Sequence, residues 1–193
     1  MKRRAKPKFD FLLEILNVYR DQALKCKKVR AYLAGCVFLG SALEAGLLAM
    51  TKTSSSQVRR SQKYLNRPKK DRNVDEWGLF DLLELARELR WIPSELPMGK
   101  VARASGISAK KALANGDLGY FADVVREIRN LVHPGVYVRE MKNVKITKSY
   151  YEFCYEITAH VFDFLRQKLE ASIRMSHAFR TWAAGNKTKT QTR

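Results

Sequence analysis

Apolar residues recur along this chain at intervals of three and four, the spacing of one helix face. Phe9, Leu12, Leu13, Leu16 and Tyr19 or Arg20 predict a first helix from about Phe9 to Lys25. A second is predicted from about Lys27 to Lys52, and from Ala31 to Met50 its only charge is Glu44. A run of about twenty such residues matches bilayer thickness. Glu44, the glycines at 35, 40 and 46, and the lack of a second such run point instead to a helix buried on most sides in a bundle. Thr51 to Ser56 reads as a loop or cap. Gln57 to Arg72 is short, very basic and broken by Pro68. Asn73 or Asp75 then caps a third helix, with Trp77, Phe80, Leu83 or Leu85, and Leu89 on its core stripe. Pro93 to Pro97 ends it, and Met98 to Asn115 reads as a helical excursion.

Gly119 to Glu140 reads GYFADVVREIRNLVHPGVYVRE. On a helix its Phe121, Val124, Val125, Ile128, Leu131 and Val132 fill one face. Arg126, Arg129, Asn130 and His133 share an arc of about 100° on the other. Pro134 and Gly135 stop the helix and leave His133 near its C-terminus, where the dipole favours imidazolium. Val136 to Lys148 is irregular. The longest helix starts at Thr147 or Ser149 and runs to about Trp182, on a stripe of Tyr151, Cys154 or Tyr155, Thr158, Phe162, Leu165 and Leu169. The pattern predicts an all-α chain: one bundle of about five helices over 9–182, between a basic arm (1–8) and a basic disordered tail (183–193).

Composition changes the picture in one respect. Of 193 residues, 46% are hydrophobic, enough for a core, yet the net charge is +18. So basic a surface attracts polyanions, nucleic acid first among them. Arg59, Arg60, Lys63, Arg67, Lys69 and Lys70 are the candidate phosphate contacts, and Tyr64 among them is a candidate base-stacking ring. The bland reading of this cluster is a solvated face. Cys26, Cys36 and Cys154 form no metal or disulfide pattern and read as reduced, buried thiols. No secretory signal is read, so cytoplasmic placement is expected. There is no phosphate-binding glycine loop, no carboxylate cluster and no zinc pattern, so neither a cofactor nor a metal is expected. His160 and His177 lack partners at ligand spacing.

The chemistry-bearing set is therefore arginine and histidine. RNA carries its own nucleophile, the 2′-hydroxyl. An imidazole near neutral pKa moves a proton, and a guanidinium steadies charge on the phosphate. That set fits metal-free transesterification to a 2′,3′-cyclic phosphate, with His133 moving the proton, Arg126 and Arg129 as the clamp, and Asn130 orienting. Glu44 is read as a supporting partner for an arginine of this stripe, because an unpaired buried carboxylate costs too much. Tyr137, just past the turn, is grouped with it. The competing reading is an exposed helix face whose arginines pair with acids such as Asp123 or Glu127.

The run VVREIRNLVHPG resembles the motif of the HEPN superfamily (higher eukaryotes and prokaryotes nucleotide-binding domain). GSALEAGLLAM and LFDLLELAREL resemble the earlier bundle helices of such proteins. The family's motif is an Arg, four to six intervening residues and a His, often with a polar residue after the Arg. Arg126 to His133 has the family's spacing, while Arg129-Asn130 has its polar neighbour, so either arginine fits in part. The resemblance implies a helical bundle and a metal-independent endoribonuclease. It also implies a homodimer with the motif at the interface, RNA as substrate, a toxin or defence role, and an antitoxin or other protein partner. A non-catalytic helical module of the same fold, binding nucleic acid or protein, is the alternative. No membrane partner is expected.

Overall fold

The computed structural model describes residues 8–92, 125–126, 129–130 and 146–189. Within them the chain is all-α, with no strand. The helices are α1 (Lys8–Lys28), α2 (Tyr32–Thr53), α3 (Ser55–Arg60), α4 (Gln62–Leu65), α5 (Leu79–Glu88) and α6 (Lys148–Lys189), with short 3-10 turns at Lys69–Asp71 and Val74–Glu76. Val125, Arg126, Arg129 and Asn130 are also helical.

Among the described residues, α1, α5 and α6 all pack on α2. It lies against α1 on one side, α6 on another and α5 on a third. Cys36, Leu39, Leu43 and Leu47 are almost wholly buried on it. Among the described residues α2 alone is long and apolar enough to cross a membrane, but most of it is inside the bundle, as a core helix would be. Small residues let its neighbours come close. A methyl group on Gly35 would meet the Tyr151 ring of α6 at 2.6 Å.

The break between α1 and α2 falls at residues 29–31, a few residues past the expected boundary between Lys25 and Lys27. Arg30 takes φ 60, Ala31 N–H bonds the Cys26 carbonyl and Arg30 N–H bonds that of Lys27. This is a Schellman closure with arginine in the place that glycine usually fills. The same closure ends α5, with Arg90 at φ 53 and Trp91 N–H on the Ala86 carbonyl. It folds Trp91 and Ile92 into the core.

The third predicted helix starts later than expected. Asn73 caps only the turn at Val74–Glu76, Trp77 is extended, and α5 begins at Leu79. Trp77 is buried beside Leu79, Leu82, Leu83 and Leu85, but Phe80 is 44% exposed rather than on the core stripe. The buried residues centre on Leu79, Leu82, Leu83 and Ala86, and Phe80 stands about 110° around the helix from that line. At the far end, α6 runs to Lys189, past the expected end near Trp182. No proline stops it there, and a single internal glycine costs only about 1 kcal/mol. The arm, the 93–124 stretch, the motif turn with His133 and Tyr137, and the His177 side chain lie outside the described residues.

Candidate nucleic-acid interface

Gly40 and Glu44 stand one turn apart on the same face of α2. The stem of Arg129 lies over Gly40, so closely that a methyl there would come within 2.9 Å of both Cβ and Cδ of the arginine. Its guanidinium ends on Glu44, with Nη2 2.7 Å from Oε2. Both side chains are largely covered. Burial lifts the Glu44 carboxyl above its usual range, and the Arg129 charge only partly offsets this. The short contact alone would suggest a lowered value. Burial is the stronger influence, since a largely covered carboxylate loses much of its hydration. The structure thus brings Glu44 and Arg129 together; Asn130 beside them is half-buried.

Arg126 points toward α5 instead. Its guanidinium carbon stands 5.0 Å from the Phe80 ring centroid, and Lys63 Nζ stands 5.3 Å from the same ring. Val125 is fully buried and anchors this segment. The arginine face expected to point freely outward is therefore seated, one arginine on α2 and the other beside α5.

The basic run divides in two. Lys63 pairs with Asp81 at 3.0 Å and with Glu84, and Arg67 pairs with Asp81 while lying 4.3 Å over the Trp77 ring. Burial would lower Lys63 and raise Asp81. Hydrogen bonds from Lys63 to Glu84 and Asp81, and from Arg67 to Asp81, outweigh it, so Lys63 titrates higher and Asp81 lower than usual. Tyr64 is half-buried between Trp77 and Arg72, whose guanidinium carbon is 5.4 Å from its centroid. Lys63 and Arg67 thus tie this stretch to α5, and Tyr64 packs against Trp77. Arg59, Arg60, Lys69 and Lys70 are the exposed remainder. A cavity of about 260 Å³ opens beside Arg59, lined also by Lys52, Ser55, Tyr64, Arg72 and Asn73.

Sequence reasoning missed the acids that neutralise this run. Asp81, Glu84 and Glu88 recur at three and four residues on α5, a helical charge stripe that was readable. Glu88 goes further and caps α4, accepting from the backbone N–H groups of Gln62 and Lys63 at 2.6 and 3.0 Å. Among the described residues no group of three or more His, Cys, Asp or Glu side chains could hold a metal ion. The three cysteines are free thiols, Cys36 and Cys154 buried. No protein-family model, curated protein or solved structure matches the chain.

Proposed function

We propose that this chain is an RNA-binding helical protein of the HEPN type, acting in the cytoplasm as a metal-independent endoribonuclease. Support comes first from the seating of Arg129 across Gly40 onto Glu44. That contact fixes the helical segment of Arg129, and in the sequence His133 follows Arg126 by seven residues. Arg126, whose guanidinium carbon stands 5.0 Å from the Phe80 ring centroid, is the arginine assigned to the phosphate. Its separation from His133, six intervening residues, is the spacing of the motif. In this reading Arg126 steadies the phosphate, His133 moves the proton of the 2′-hydroxyl, and Arg129 and Glu44 are positioning residues. Arg59, Arg60, Lys69 and Lys70 gather the backbone.

A second reading draws on the same ion pair. A guanidinium already satisfied by a carboxylate is a structural clamp, and a fold built on it can bind RNA without cutting it. Incubation with structured RNA in EDTA separates the two. Cleavage that persists under chelation and disappears in His133→Ala is expected for the enzyme. Binding that weakens steeply with salt, with no cut, would replace it with the module.

A further inference from the structure

A cavity of about 500 Å³ lies between α1 and α6, with α2 as its floor. Among the described residues these two helices each pack on α2 but not closely on each other. The chain directions follow from two glycines. Gly35 meets Tyr151 and, eleven residues further along both helices, Gly46 meets Phe162, so α6 runs parallel to α2. A methyl group on Gly46 would come within 2.9 Å of the Phe162 ring and 3.1 Å of Leu16 Cδ1. There the flanking helices close over the floor. The cavity also takes in Leu13 and Phe9 of α1 and Leu169 of α6, which lie toward its other end. On α1 it is lined by Phe9, Leu13, Leu16 and Arg20, which recur at three and four residues and share one face.

Arg20 is the polar end of that line. Its guanidinium carbon stands 5.8 Å from the Phe162 ring centroid. The residues one turn away on α1, Leu16, Asn17, Ala23 and Leu24, carry no charge, and Asp21 lies about 100° around the helix. The other charges in the lining are Asp163 and Arg166. They pair with each other at 3.4 Å, and Arg166 also pairs with Glu170 at 3.6 Å. Arg20 is thus the lining charge that has no ion-pair partner among the described residues.

An apolar trough with one unpaired cation at its end suits a molecule of the opposite make, one apolar chain bearing one anionic head. The volume is that of a small-molecule site. A helix about 10 Å across would use it up in little more than one turn, far short of the roughly 800 Å² per partner of a stable protein contact. Phe9 and Arg20 are eleven residues apart, about 16 Å along α1, enough for an extended chain of about ten carbons with its head on the arginine.

We propose that this cavity binds a single-chain carboxylate amphiphile of the fatty-acid type, its chain between α1 and α6 and its carboxylate on Arg20. None of these residues belongs to the Gly40–Glu44–Arg129 contact or to Phe80 and Arg126, so the site holds or fails independently of the ribonuclease reading.

Calorimetric titration of the full chain with decanoate, below its micelle-forming concentration, tests it. The expected result is one molecule bound per chain, with decanol, the same chain on a neutral head, bound about tenfold more weakly. Arg20→Gln, at an exposed position, should keep the helical circular dichroism and abolish the preference for decanoate over decanol. Ala159→Leu, which fills the trough from α6, should weaken both by about tenfold or more. If Ala159→Leu loses helicity, Arg20→Gln alone decides. No binding, several molecules per chain, equal affinity for decanoate and decanol, or a preference that Arg20→Gln leaves intact would each overturn the proposal. Uptake onto anionic phospholipid vesicles without binding of free decanoate would overturn it too.

Discussion

Glu44 shows how one residue can set the terms for a site. A carboxylate alone in a twenty-residue apolar run must find a cation or lose its charge, and the fold supplies Arg129 at 2.7 Å. Its carboxyl nonetheless titrates above the ordinary 4.5, because burial outweighs the guanidinium. An acid with a raised folded value binds its proton more tightly when folded. Its contribution to stability is therefore present below the unfolded value and lost as pH rises through the folded one. Urea unfolding across this window should show Glu44→Gln gaining stability relative to wild type as pH climbs above about 4.5, the ordinary glutamate value. A variant that instead loses ground toward neutral pH would show that the ion pair repays its burial. Phe80 is the complementary lesson. Its ring is exposed, and the cations of Lys63 and Arg126 sit about 5 Å from it, a use that no apolar pattern announces.

At the scale of elements, the two Schellman closures decide where α1 and α5 stop. Both place an arginine in the left-handed region, which costs a residue with a side chain about 1–2 kcal/mol. Arg30→Gly should therefore stabilise the protein by roughly 1 kcal/mol, raising the melting temperature by about 2–4 °C. A lowered melting temperature would mean that the Arg30 side chain supports the turn by contacts of its own. These closures also explain what could be read in advance. The helices themselves were legible, because Leu39, Leu43 and Leu47, or Tyr151, Cys154 and Thr158, repeat at helical spacing. The pattern puts the break between the first two near residue 26, a few residues early, since neither glycine nor proline marks 29–31. The fate of Lys63 and Arg67 was not legible. Their shared acid, Asp81, lies on α5, 18 residues past Lys63 and 14 past Arg67, and only the folded chain brings them together. The need of Glu44 for a cation was visible in its isolation, but the arginine it takes was not.

For the whole molecule the governing facts are the excess of positive charge and the way the fold disposes of part of it. Lys52, Lys63, Arg67 and Arg129 are drawn into ion pairs. Arg59, Arg60, Lys69 and Lys70 remain outside, on the surface that follows α2. The proposed ribonuclease activity is tested on RNA itself. The most direct measurement is end-group analysis of RNA incubated with the purified chain in EDTA, with Arg126→Ala alongside. The expected products carry 2′,3′-cyclic phosphate and 5′-hydroxyl ends, and Arg126→Ala lowers their yield by about two orders of magnitude or more without loss of helicity. Intact RNA, or 3′-hydroxyl and 5′-phosphate ends, would contradict it.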